Sequence, residues 1–312
     1  MEFKTFTAGP DDNDRRLDRI IRTIIPKDSL SSLYKAIRKG LIKVNDSKTS
    51  AEAHIFQGDK ISIAAFLFES TGSEPIKNIS TFTNIPLDIV FQNEHILVVN
   101  KPYDKTVQGD KDSLNKIVQK YYEETLKTES LSFKTGPLHR LDRKTTGLLC
   151  FSLSLKGARW FSENIATHNI KKIYSGIIQG KLLSSERWED SLLKKYDKEE
   201  SFQTVKVGLN ANESKTAITE AIPLSYGRWQ STEFTHAQFK IETGRTHQIR
   251  AQSAFHNYPL LGDTAYGGKK IPFTEYFLHA ETLIFPKDNP LNLPEKITAP
   301  LPEKFQKFLG LK

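Results

Sequence analysis

Only one cysteine, Cys150, occurs in the 312 residues, so no disulfide can form within the chain and no multi-cysteine site can hold a metal. It lies in the apolar run Leu148 to Leu153 and reads as a small buried hydrophobe, not a reactive thiol. No apolar stretch approaches the length of a membrane span, about 20 residues. The opening segment, MEFKTFTAGPDDNDRR, lacks an apolar core and is acidic where a secretory leader is basic, which makes the cytoplasm the expected location. There is no Gly-rich dinucleotide fingerprint, no Walker motif, and no His-Glu-x-x-His. Redox chemistry, phosphate-driven chemistry and the common zinc-hydrolase arrangement therefore have no motif to stand on, and neither cofactor nor metal is expected. Internal repeats and low-complexity tracts are also missing.

What is present is an ordinary globular composition, 38% hydrophobic and 26% charged, long enough for one good core and a second small domain. Lys and Arg number 45 against 37 Asp and Glu, a formal charge of +8. Such an excess suits a polyanionic partner, because neutralising phosphates with Lys and Arg drives nucleic-acid binding. Many soluble proteins carry it for solubility alone.

Residues 15 to 63 form a pattern of their own. Leu17, Ile20, Ile21, Ile24 and Ile25 recur at helical spacing until Pro26. Ser29 or Ser31 can cap a second helix through Leu33, Ala36 and Ile37, with Gly40 at its end. Strands are expected at Leu41 to Val44 and Ile61 to Ile63. The helices carry Arg15, Arg16, Arg19 and Arg22, then Lys35, Arg38 and Lys39. Residues 69–84 are polar, rich in Ser and Thr, and read as a linker between domains at 1–68 and 85–312. Beyond the linker, strand-like runs at 148–153, 173–178, 217–224, 234–241 and 281–285 outnumber helical patterns near 112–127, 156–166 and 246–255. This mixture predicts an α+β fold on a mixed, mainly antiparallel sheet.

Four segments of the second domain carry chemistry-bearing residues. Ile96 to Pro102 is a strand ending in Lys101-Pro102. Pro137 to Leu149 contains His139-Arg140-Leu141-Asp142-Arg143, one carboxylate flanked by two arginines. Nearby positive charge favours the ionised form of such a carboxyl, which can serve as nucleophile, base or half of a structural ion pair. Lys171 to Gly180 places Tyr174 on a strand. Ile241 to Arg250 reads as a strand, a turn at Gly244 and a helix that Thr243 or Thr246 can cap, and is followed by Leu261-Gly262-Asp263 and Tyr266-Gly267.

In this order the four segments resemble the large-subunit rRNA pseudouridine synthase family. Within them Asp104 stands where that family commonly has Gly, and Thr146 where it more often has Ser. The order RRLDRII, SLSSLYKAIRKGLIKVN, GDKI resembles the S-four RNA-binding domain, which would make residues 1–68 a small α/β RNA-binding module presenting Lys35, Arg38 and Lys39 to phosphates. The resemblance implies the pseudouridine synthase fold, no cofactor, RNA as partner, and rRNA rather than tRNA as the expected substrate. It assigns Asp142 as the catalytic carboxylate, Tyr174 as the tyrosine against the uracil ring, and Arg250 as the salt-bridge partner of Asp142. Arg140 would hold or replace the flipped uridine, Lys101 and Arg143 would contact RNA backbone, and Arg245 and His247 would face RNA.

Rival readings are a non-catalytic RNA-binding protein of the same fold and a metal-dependent hydrolase using His139, Asp142 and His247. The polar segment 184–215 reads as a solvated loop in preference to a hairpin insertion. The basic surface points to a monomer.

Overall fold

The computed structural model describes residues 1–25, 29–69, 87–125, 130–197, 202–208, 214–272 and 274–310. Pro26 and nearly all of the expected linker lie outside the described residues. Two compact units are present: one gathers Met1–Pro86, Ile117–Gly136 and Ser152–Ala158, the other Leu87–Lys116, Pro137–Phe151 and Arg159–Lys312. The first unit thus takes in two segments that follow the linker, where the sequence suggests a single cut.

In the first unit the apolar spacing yields helices Leu17–Ile24 and Leu30–Arg38. Ser29 caps the second, its side-chain oxygen accepting from the Ser32 amide at 3.1 Å, and Gly40 at φ +74° ends it. A three-stranded antiparallel sheet orders Phe3–Thr7, Lys60–Ala64 and Ile42–Val44. Leu17, Ile20, Ile21, Leu33, Ile37, Ile42, Ile61 and Ile63 form the core. Lys35, Arg38 and Lys39 are exposed, as the amphipathic pattern of their helix requires.

The second unit is built on an eleven-stranded sheet. Its main path runs Phe202–Val207, Glu186–Asp197, Lys215–Trp229, Thr232–Ile241, Lys171–Gln179, Leu278–Ile284, Thr146–Ser152, Ile96–Lys101, Ile89–Gln92. The junctions from Phe202–Val207 through to Leu278–Ile284 are antiparallel, whereas Leu278–Ile284 and Thr146–Ser152 run parallel. The mixed, mainly antiparallel sheet expected from the strand pattern is therefore present. Helices Leu155–Ala166 and Gln248–Phe255 lie close to the ranges expected for them.

Two local expectations are corrected. The described part of segment 184–215 is not a loop: Glu186–Asp197 and Phe202–Val207 pair antiparallel and extend the sheet. Trp188 and Leu192 are buried on one face, an alternation masked in the sequence by the charged residues around it. Leu192 and Val205 pack with Ala217 and Ala251. Nor does a threonine cap the helix after Gly244. It begins at Gln248, and the N-cap residue is His247 at φ +52° with no side-chain cap. Thr243 Oγ1 instead donates to Gln248 Oε1 at 2.7 Å and accepts from the Ile218 amide at 3.0 Å.

Gly147 sits where the Asp142 segment enters its strand, at φ +106°. A Cβ there would stand 2.3 Å from the Ala280 carbonyl oxygen on the parallel neighbour. Backbone has little room to retreat, so both strain and collision oppose any side chain. Gly147→Ala is expected to lower the unfolding free energy by more than about 2 kcal/mol in urea titration. A change within about 0.5 kcal/mol would show that the two strands can separate there without cost.

Candidate active site

Asp142 lies on the segment between Gly136–Pro137 and Thr146–Ser152. A turn holds it, the Thr145 amide donating to the Asp142 carbonyl at 3.1 Å. Its side chain lines two cavities, of about 430 and 440 Å³. It also lines a cleft of about 60 Å³, which shares Tyr174 with the first cavity and Arg250 with the second.

Arg250, on the Gln248–Phe255 helix, is buried and held from three sides. Its Nε and Nη2 donate to the two carboxylate oxygens of Asp263 at 2.7 and 2.9 Å. Its guanidinium carbon lies 5.0 Å from the ring centre of Tyr266 and 4.6 Å from that of Tyr276. The remaining nitrogen, Nη1, points at Asp142 Oδ2 across 3.4 Å. Burial pulls the Arg250 pKa down, and the hydrogen bonds to Asp263 more than offset this, so the group ends above its ordinary value. The salt bridge expected with Asp142 exists, but the tighter partner is Asp263. Asp263 has no role assigned from sequence; its signal is an acid placed directly after Gly262, thirteen residues beyond Arg250.

His247 faces the same carboxylate, with Nε2 3.7 Å from Asp142 Oδ1. Its Nδ1 meets the Tyr266 hydroxyl at 2.9 Å. That hydroxyl accepts from the Val205 amide at 3.0 Å, which leaves its own proton for Nδ1. The network thus assigns the neutral ring's proton to Nε2, the nitrogen turned toward Asp142. Burial lowers the His247 pKa, opposed by Asp142. His247 is therefore part of the carboxylate's surroundings as well as of the cavity wall.

Tyr174 is 7% exposed and lines the first cavity and the cleft. Its strand shifts register against Leu278–Ile284 between Ile173 and Tyr174, the extra residue being Glu281 on that neighbouring strand. Burial, and then Asp142, push the phenol pKa up.

The flanking arginines do not pair with Asp142. Arg143 is exposed and its Nε binds Asp104 Oδ1 at 2.7 Å; Lys144 reaches the same oxygen at 2.9 Å. Asp104 tolerates the position expected for Gly by adopting φ +60°, and its carboxylate restrains the Asp142 segment. Arg140 is exposed and lines both cavities and the cleft. Arg245 is exposed at the first cavity, its Nε donating to the Thr216 carbonyl at 3.0 Å.

Lys101 corrects an expectation: it is 0% exposed and cannot reach an RNA phosphate. Its Nζ donates to the carbonyls of Pro102, Lys105 and Arg143 at 2.9, 2.8 and 2.9 Å. The last of these ties down the residue next to Asp142. His139 is turned to structure as well, its Nε2 accepting the Cys150 amide at 3.1 Å and its ring stacked on Phe161. Burial holds it near pKa 3. With His139 so engaged, the metal-hydrolase grouping of His139, Asp142 and His247 does not assemble; among the described residues no cluster of three metal-binding side chains occurs.

Residues 95–255, just over half of the chain, match the model of the family described as RNA pseudouridylate synthase. The chain belongs to that family, and the reaction it catalyses is the isomerisation of uridine in RNA. It is 28% identical over 310 residues to ribosomal large subunit pseudouridine synthase D of Vibrio parahaemolyticus, covering 93% of this chain and 88% of the relative. It is 25% identical to ribosomal large subunit pseudouridine synthase C of Vibrio vulnificus, covering 95% and 92%. Among solved structures, human RNA pseudouridylate synthase domain containing 4 has the same fold, with a TM-score of 0.57 at 19% identity over 71% of this chain and 91% of that one. Among the described residues no helix is long and apolar enough to cross a membrane.

Burial holds Lys101 at about 7, against 10.5 in the unfolded chain, with Asp142 opposing the shift. Between those values the unfolded state binds more protons, so stability rises with pH there. Below about pH 7 both states are charged and the whole cost of burial remains. Wild-type stability in urea is expected to climb with pH more steeply than that of Lys101→Met; parallel curves would mean that the ammonium is not desolvated as placed.

Proposed function

We propose that this enzyme modifies uridines in large-subunit rRNA in the cytoplasm, with Asp142 initiating cleavage of the bond between ribose and uracil. The observation that carries the reading is the placement of Asp142, a carboxylate shared by two cavities and a cleft that also holds Tyr174 and Arg250. The names of the curated relatives supply the substrate class.

The chemistry follows from the groups available. A uridine in folded RNA must leave its stack to reach an enclosed carboxylate. Arg140, at the mouth of both cavities, holds the flipped uridine or takes its place. The detached uracil has to turn without escaping, and Tyr174 gives it one wall. The isomerisation conserves atoms and electrons, so the side chains need only orient the reactants and move protons. Arg250 positions the carboxylate and balances its charge. Arg143 and Arg245, exposed beside the cavities, meet flanking RNA, with His247 nearer the carboxylate. Residues 1–68 act as an S-four-like docking module through Lys35, Arg38 and Lys39, and residues 85–312 carry the catalysis.

Unmodified transcripts of large-subunit rRNA and of tRNA, incubated with enzyme and mapped for pseudouridine, test this directly. Defined rRNA uridines are expected to convert with wild type, and Asp142→Asn to lose on the order of 10³ or more in rate. Conversion confined to tRNA would overturn the substrate; an unimpaired Asp142→Asn would overturn the assignment of the carboxylate. Arg250→Ala is expected to bind the rRNA transcript within about threefold of wild type while losing turnover. Loss of both together, in a folded protein, would make Arg250 a binding residue.

A further inference from the structure

Lys172 stands two residues before Tyr174 on the same strand and is only 7% exposed. Its side chain lines the 430 Å³ cavity that Asp142 and Tyr174 also line. Its Nζ lies 2.9 Å from where a Cβ on Gly244 would sit, so the absence of a side chain at Gly244 leaves the ammonium its place in the cavity wall. Among the described residues no carboxylate pairs with that ammonium and no protein hydrogen bond engages it, and it is not enclosed. Among the described residues the other buried lysine of the unit is Lys101, which has three carbonyls around its Nζ.

The charges around Lys172 add to this. Its pKa falls to about 8 through burial, and then through Arg245, a second cation at the same cavity. Lys172 in turn is felt by His139. Glu242 on the rim has its carboxylate bound to Arg187 at 2.5 Å, while its carbonyl accepts from His168. Asp142 acts on Tyr174 but is not among the charges that act on Lys172. Lys172 is also absent from the small cleft where Asp142, Tyr174 and Arg250 meet. The Lys172 ammonium is recessed but not sealed: among the described residues the one enclosed side-chain N or O atom without a partner is Asn115 Oδ1, so the Lys172 Nζ opens onto the cavity. A recessed cation that no protein carboxylate neutralises favours an anion brought by the ligand, beside the reacting carboxylate.

We propose that Lys172 and Arg245 form a phosphate subsite in this cavity, one that takes a backbone phosphodiester beside the target uridine. The proposal rests on the reading of the protein as an RNA-modifying enzyme. Its work is to fix the register of the strand so that the uridine next to the bound phosphate meets Asp142. The two cations differ in kind: Lys172 is a recessed point charge, and Arg245 an exposed fork tethered to the Thr216 carbonyl.

The test compares wild type, Lys172→Met and Lys172→Arg for binding to an unmodified large-subunit rRNA fragment across a salt series. Removing one phosphate contact should flatten the slope of log K against log salt by about 0.7–0.9, and Lys172→Arg should restore it. In turnover assays Lys172→Met should raise KM with little effect on kcat. A set of fragments, each with one phosphodiester replaced by a neutral methylphosphonate, should contain one that weakens wild type to the level of Lys172→Met and leaves that variant unaffected. Lys172→Met should also melt no lower than wild type, since it loses a buried charge. Equal salt slopes overturn the proposal. So does a lower melting temperature with no change in slope, the mark of a structural lysine, or a fall in kcat alone, the mark of a group acting on the uracil. A Lys172-dependent slope in a protein that modifies no rRNA uridine would sink the substrate reading and keep the phosphate site. Turnover with equal slopes sinks the phosphate site alone.

Discussion

The two hydrogen bonds between Arg250 and Asp263 set the geometry on which the site depends. Buried ion pairs rarely add much net stability, because desolvating both charges cancels most of their attraction. Orientation is the better account of this one. With Nε and Nη2 committed to Asp263 and the rings of Tyr266 and Tyr276 packed beside the group, the remaining nitrogen, Nη1, is the one that turns to Asp142. Helix, loop and the Asp142 segment meet at a single planar group. The 3.4 Å contact holds the Asp142 carboxylate less tightly than a bidentate pair would.

The sheet supplies the rest of the precision. Thr146 Oγ1 bonds His279 Nδ1 at 2.8 Å across the parallel junction, and Gly147 lets the two backbones close up beside it. The neighbouring antiparallel pair carries the bulge at Tyr174. Asp142 and Tyr174 are thus both referenced to one strand, Leu278–Ile284, from its two sides. Sites built on strands hold their geometry better than sites built on loops alone.

Much of this was legible in the sequence, and the failures have identifiable causes. Apolar spacing is a local signal, and it placed the helices of the first unit and most strands of the second within a few residues. The motif order pointed to Asp142, Tyr174 and Arg250, which the fold brings around one cleft. Side-chain direction is not a local signal. Arg143 is adjacent to Asp142 in the chain yet turns to Asp104, and Lys101 turns inward to carbonyls contributed by three residues. The clamp on Arg250 needs Asp263, Tyr266 and Tyr276, none of which advertises a partner in a linear reading. The bulge at Tyr174 and the strand Glu186–Asp197 depend on pairing across the sheet, where register outweighs composition.

Cys150 gives the molecule a built-in gauge of its own integrity. The thiol is fully buried, and its backbone amide is the one that His139 accepts. Burial raises the thiol's pKa, so it is protected chemically as well as sterically. Because the chain has no other cysteine, any reaction with a thiol reagent reports the opening of this strand and nothing else. The rate of alkylation at a single atom, eight residues from Asp142, therefore measures how often the Asp142 segment comes loose from the sheet that aims it.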